Sequence, residues 1–387
     1  MRARHTAHSV PNFPIYSAAF LSPGELILGG GGGASKTGII NKLRLYLVDE
    51  YLTLRMADEL HLKIGEDAPM SMAPIPDSSF FVCGINSTVE KIEKGENRKL
   101  PLLRLGRRRE RPVSFVGTLG KDSDDFQKVT VVSPDGTYVA AAGSKELALL
   151  TVPDLEVTKT YVDQGEIYDA AFSETELVVA TTLNLLVYSL PGNKKGEEKE
   201  SSVFKLENPS IIERPKLPGG DTGTFRVGKY HPHTSDTFYT VINTIPARGV
   251  KSTQRKAYLI RWNSAGWKVE RVRKVGAKAL TAFDISDNGK WIAYGSSDCS
   301  VGLLDAFTLA PLLNILKSHE FPPTILKFNP TSRLLVSGSA DSTVRVIAIP
   351  DGLGDNSSSW SYSLTVILAL FVLLLAFAVQ LLMRGAI

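Results

Sequence analysis

One layout recurs along this chain and limits what it can fold into. A short alternating apolar strand runs into a Ser/Asn-Pro or Asp-Gly turn, a second apolar strand follows, and small residues close the unit. It is read at Phe20-Leu21-Ser22-Pro23-Gly24-Glu25-Leu26-Ile27-Leu28, more weakly over 73–82, and clearly at Val131-Val132-Ser133-Pro134-Asp135-Gly136-Thr137-Tyr138-Val139. It returns over 170–180, 229–240, 282–293 and 326–341. That makes about seven units at a period of roughly forty to sixty residues, the spacing of four-stranded blades in a β-propeller. The expected fold is therefore all-β, a seven-bladed propeller over residues 1–350.

The last unit is similar to a WD repeat. Ser337-Gly338-Ser339-Ala340-Asp341-Ser342-Thr343-Val344-Arg345-Val346 resembles the turn and strand of that repeat, and His319 sits where such repeats carry a histidine that bonds into the blade. His319 and Asp341 are accordingly read as structural. The preceding unit matches in part, through Gly295-Ser296-Ser297-Asp298-Cys299-Ser300-Val301. Asn193 to Glu200 and the basic Ala247 to Lys256 read as solvated insertions or long inter-blade loops, and Arg107-Arg108-Arg109 with Arg111 as a solvated loop between strands, for which contact with anionic headgroups is the other reading.

Within the first unit lies Gly29-Gly30-Gly31-Gly32-Gly33-Ala34-Ser35-Lys36-Thr37-Gly38. A hairpin turn requires one or two residues of positive φ, and each further glycine adds backbone entropy that folding must remove. Residues 30–37 approach the phosphate-loop pattern, with Ser35 in place of its last glycine. Such a loop must open a helix. Here Leu43-Arg44-Leu45-Tyr46-Leu47-Val48 alternates as a strand, and only about a dozen residues separate Lys36 from Asp49, too few for a helix and a crossover. Nucleotide hydrolysis is not expected. Two readings remain: backbone carbonyls turned inward around a monovalent cation, or a floppy hairpin without a ligand.

Leu364 to Met383 is about twenty residues without a charge, enough to cross a bilayer as a helix, with Trp360 and Tyr362 just before it. The first thirty residues carry no convincing signal peptide, so the N-terminal bulk is expected in the cytosol and Arg384 to Ile387 in the lumen, with residues 351–363 as the linker and insertion after translation. Cys83 and Cys299 cannot make a disulfide framework, which suits a reducing compartment. A net charge of +4 is no argument for nucleic acid. No His/Cys/Asp/Glu group stands at metal-ligand spacing, and no nucleophile, histidine and acid stand out as a triad.

Phe13-Pro14-Ile15-Tyr16-Ser17-Ala18-Ala19-Phe20-Leu21, the glycine run, its ending Gly38-Ile39-Ile40-Asn41-Lys42-Leu43 and the terminal apolar span together resemble the endoplasmic-reticulum-anchored WD-repeat exchange factors of the prolactin regulatory element-binding protein family. The resemblance is specific in about the first fifty residues and architectural over the rest. It implies a guanine-nucleotide exchange factor that loads the small GTPase of the COPII coat, at the endoplasmic reticulum membrane, without covalent chemistry, nucleic acid or a small-molecule substrate of its own. By the same resemblance Asn41 is the main GTPase contact with Ile39 and Ile40 beside it, and a potassium ion is held by carbonyls among Gly29, Gly30, Gly31, Gly32, Gly33 and Gly38. The competing expectation is a membrane-anchored propeller scaffold that binds a partner without speeding exchange.

Overall fold

The computed structural model of the chain describes residues 3–33, 38–94, 101–103, 113–114, 125–152, 157–190, 206, 208–246, 255–354, 367–368 and 370–371. They divide into two units, Met1–Ile349 and Pro350–Ile387.

The first unit is an all-β propeller of four-stranded antiparallel sheets, seven of them among the described residues. Six are built from four consecutive strands each. The remaining sheet is composite: β1 (His5–Ser9) pairs with Thr343–Ala348, which continues into Leu334–Ser339 and Pro323–Phe328. The chain's start thus closes the ring onto its last strands, and the sequence reading did not include β1. The first strand of each sheet lies innermost and touches its counterparts on both sides, so that the ring runs from Pro323–Phe328 to Ile15–Ser22, Ser71–Pro74, Val129–Val132, Ile167–Phe172, Gly223–Tyr230, Leu280–Ile285 and back.

The blades adhere because each sheet buries apolar residues on both faces. The cores accordingly sit between neighbouring blades. Val178, Ala180 and Leu185 of the fourth pack against Phe225, Phe238, Ile242 and Trp262 of the fifth. Phe13, Ile15, Leu26 and Leu28 of the first pack against Ile325, Val336, Val344 and Val346 of the closing blade. The turns read from sequence form as expected: Asp135 accepts from Ser133 Oγ and Thr137 Oγ1 at 2.6 and 2.7 Å, with Gly136 at φ +73°.

His319 and Asp341 do what the WD-like pattern implies. The His319 ring, fully buried, bonds Ser337 Oγ at 2.5 Å and Thr343 Oγ1 at 2.7 Å, and Asp341 accepts from the Glu320 and Thr343 backbone N–H groups. Asp341 lies 3.5 Å away and favours a charged imidazole, but burial dominates and holds the His319 pKa down at about 4. A neutral ring bonded to two hydroxyls is the outcome.

The first blade comprises β2 (Ile15–Ser22), β3 (Glu25–Gly30), β4 (Lys42–Val48) and β5 (Leu54–His61). The expected loop from Gly29 is shorter than read. Gly29 and Gly30 belong to β3, paired with Ser17 and Ile15 on one side and with Leu43 and Lys42 on the other. One short helix, Val89–Glu93, interrupts the second blade.

The expected membrane span at 364–383 lies almost wholly outside the described residues. Ile367, Leu368, Leu370 and Phe371 are helical and exposed, and no helix among the described residues is long and apolar enough to cross a membrane. Arg107 to Arg111 and Asn193 to Glu200 also lie outside the described residues, as does 247–254.

Candidate functional site

The connection from β3 to β4 is built on the segment before β2. A Cβ on Gly30 would lie 2.0 Å from the Pro14 carbonyl oxygen and 3.2 Å from the Phe13 ring; one on Gly29 would lie 2.4 Å from Ser17 Oγ. Gly31 N–H donates to the same Pro14 carbonyl at 3.0 Å. These glycines are small because backbone and side chains of Phe13 to Ser17 press directly beneath them. The N-terminal motif and the glycine run, far apart as sequence signals, are one packed unit.

Beyond Gly30 the chain leaves the sheet. Gly31 has φ +142°, and a Cβ there would fall 2.2 Å from Asn41 Oδ1. Gly33 and Gly38 are left-handed at φ +72° and +75°. Residues 34–37 lie outside the described residues.

Asn41 closes the loop. Its Oδ1 accepts from Gly33 N–H at 2.9 Å and its Nδ2 donates to the Gly33 carbonyl at 2.9 Å, a reciprocal pair across the loop base. The same Nδ2 donates to the Glu66 carbonyl at 2.8 Å, and the Asn41 carbonyl accepts from Leu62 N–H at 2.9 Å. Asn41 is 9% exposed. Its side chain is directed into the loop, an orientation that sequence spacing cannot give. Ile40, by contrast, is 52% exposed, and Ile39 is half-buried.

The candidate carbonyl set narrows. Those of Gly29 and Gly30 belong to a central strand whose backbone is committed to its neighbours, and that of Gly33 accepts from Asn41. The Asp67 carboxylate stands beside the loop, 3.5 Å from where a Gly33 Cβ would stand. Oxygen donors of this kind fit an alkali cation. Burial raises the pKa of nearby Tyr16, and the negative charge of Asp67 raises it further.

The root of the loop is anchored ionically. Lys42, Arg44 and His61 converge on Glu59 at 3.4, 2.6 and 2.5 Å. Burial pushes the Glu59 pKa up, but Arg44, His61 and Lys42 outweigh it and bring it to about 2. The Arg44 guanidinium also lies 4.4 Å from the Phe13 ring centroid.

In an antiparallel meander the second-to-third connections and the links to the next blade share one face. On that face, with the loop, stand the exposed Ile40, Ile64, Val89, Leu183, Ile245, Leu316 and Phe321; the opposite face has Tyr51 and Phe307 among the described residues.

The family model for the WD domain, G-beta repeat, matches residues 310–347, which hold the His319–Asp341 arrangement. A guanine nucleotide-exchange factor SEC12 of Candida glabrata is 25% identical over 390 residues, 97% of this chain and 79% of that protein. The chain matches the WD-repeat exchange factors of the SEC12 family. The SEC12 protein of Rattus norvegicus is 25% identical over 361 residues, 82% of each chain. A SED4 protein of Candida glabrata is 25% identical over 362 residues, and there the chain spans 32% of the relative's length.

Of the residues singled out from sequence, the structure brings Gly31, Gly33 and Asn41 together at the loop base and leaves Ile40 outward. Sequence reasoning missed Glu66, Asp67 and the Pro14 carbonyl as parts of the same site. The positive signal available was the Phe13–Ser17 motif, which announced a packed partner without naming it.

Proposed function

We propose that this SEC12-like chain is a guanine-nucleotide exchange factor for the small GTPase that starts COPII coat assembly, held at the endoplasmic reticulum membrane by residues 364–383 with the propeller on the cytosolic side. The relatives named as exchange factors support the activity class. The identity of the GTPase and the membrane rest on the resemblance of the glycine loop and the apolar span.

One observation carries the proposed mechanism: the Asn41–Gly33 clamp, which closes a glycine loop at its base and leaves Ile40 outward. Ile39 and Ile40 press against the GTPase beside its nucleotide. Asn41 serves them by fixing the base of the loop, since its amide already has partners at both ends. Backbone carbonyls within Gly29 to Gly38 would hold a potassium ion, whose charge draws converging oxygens together and offsets the entropy of ordering the glycines. The remaining exposed apolar residues of that face supply further contact area. Exchange then follows from reciprocity: a factor that binds the nucleotide-free GTPase more tightly weakens nucleotide affinity by the same ratio.

The test is release of fluorescent GDP from the COPII GTPase on adding the full-length chain, in potassium and in lithium buffer. The proposal expects acceleration in potassium, reduced in lithium and lost in Ile40→Asp. Binding without acceleration is the scaffold outcome and refutes the exchange reading.

A further inference from the structure

Among the described residues, the fifth blade concentrates positive charge. From Arg255 to Lys278 the sequence holds eight Lys or Arg against the single acid Glu270, a balance of +7 in a chain whose net charge is +4. The remainder of the chain is therefore negative by three.

The local structure concentrates this excess. Lys268–Gly276 is the outermost strand of the blade, and Lys268, Arg271 and Lys274 on it are exposed, as is Arg255. The one acid is already engaged: Glu270 pairs with Arg261 at 2.8 Å. Asp221, contributed from the preceding connection, pairs with Lys256 at 2.8 Å. Lys268, Arg271 and Lys274 are left exposed along about 20 Å at strand rise, with Arg273 half-buried between them. At one end the exposed Phe307 lies under Arg261 and Arg271, their guanidinium carbons 4.3 and 5.8 Å from its ring centroid.

Charged residues on an open edge can simply discourage edge-to-edge pairing. That does not account for this blade. The other outer strands carry less charge: His5–Ser9, Val113–Ser114, Ser210–Glu213 and Pro311–Ile315 contain no Lys or Arg, Val157–Tyr161 holds the single Lys159, and Leu54–His61 holds one Arg against two acids. The strand is also a poor template for an added peptide strand, because its register shifts twice, at Ala257/Tyr258 and at Arg261/Trp262. A bulged, extended row of cations with interspersed Val269 and a terminal aromatic suits a flat anionic surface.

We infer that the outer edge of the fifth blade docks on anionic phospholipid headgroups, so that the propeller rests on a bilayer through this flank. The inference is independent of exchange activity and of whether residues 364–383 insert.

Its test is lysine acetylation of the full-length chain, read by mass spectrometry at Lys268 and Lys274. The chain is mixed with excess vesicles of phosphatidylcholine, alone or with phosphatidylserine. Both lysines are expected to react about fivefold more slowly on the phosphatidylserine vesicles, and high salt should restore the rate. Arg271→Glu with Arg273→Glu keeps the reporters and should abolish the protection; Arg271→Gln with Arg273→Gln, should the first variant unfold, should weaken it. Equal rates on both vesicle types overturn the inference. So does protection by soluble polyglutamate with none by vesicles, which would assign the flank to an acidic polypeptide.

Discussion

Asn41 and Gly33 exchange two hydrogen bonds of 2.9 Å through one side chain, so a single amide spans the base of the loop between β3 and β4. An amide that donates to and accepts from the same residue imitates a strand pairing where none is possible. It holds the loop base in shape without adding a residue to the sheet. Aspartate at this position could accept from Gly33 N–H but could not donate to the Gly33 and Glu66 carbonyls. Asn41→Asp should therefore impair exchange nearly as much as Asn41→Ala. Amide hydrogen exchange at Gly33 and Leu62 would register the loosening, with protection falling in both variants and the rest of the propeller unchanged.

Gly31→Ala is expected to be worse than its single methyl suggests. The new Cβ would stand 2.2 Å from Asn41 Oδ1 at a φ of +142°. The clamp must open to admit it. A loss of about 1–3 kcal/mol is expected from urea denaturation, with exchange reduced at least tenfold. Gly38→Ala meets nothing within 4 Å. Its left-handed backbone makes the cost smaller, about 1 kcal/mol.

Phe13 connects the loop to the closing blade. It is fully buried, lies under the Gly30 position and receives the Arg44 guanidinium on its face. Phe13→Ala should cost about 3–5 kcal/mol. It should also slow exchange in protein that remains folded, because Gly30 and Gly31 lose the surface that seats them. A thermal melt and a GDP-release assay on the same sample separate the two effects.

Much of this was legible in the sequence. Ser133-Pro134-Asp135-Gly136 announces a turn through residues whose side chains bond their own backbone, and the apolar alternation on either side gives the strands. His319 and Asp341 follow from local spacing in the last unit. β1 was not legible: His5-Thr6-Ala7-His8-Ser9 has no apolar alternation, and its partner strand begins at Thr343, at the other end of the propeller. Gly29 and Gly30 were read as loop because glycine breaks the strand pattern. Only the Pro14 carbonyl and Ser17 hydroxyl beneath them explain why a strand is made of glycine there. Asn41 was singled out through the family resemblance, which carries no information on which way its side chain points.

Acid should destabilise the propeller in a defined window. An unfolded chain protonates His319 near its ordinary value of 6.5, while the folded chain resists until about pH 4. Between those values the unfolded state binds more protons. Stability therefore falls as pH falls, at a limiting slope of about 1.4 kcal/mol per unit. Urea midpoints measured at pH 7, 6 and 5 should decline accordingly. His319→Gln should start lower and lose that part of the slope.

The most direct test of the exchange mechanism compares binding with release for one variant. Full-length chain and Asn41→Ala are titrated against nucleotide-free GTPase, and each is then assayed for acceleration of GDP release in potassium buffer. A loop whose stiffness drives exchange predicts that Asn41→Ala keeps much of its binding through the surrounding apolar face while losing most of the acceleration. Full acceleration by Asn41→Ala, or no acceleration by the unaltered chain, would contradict it.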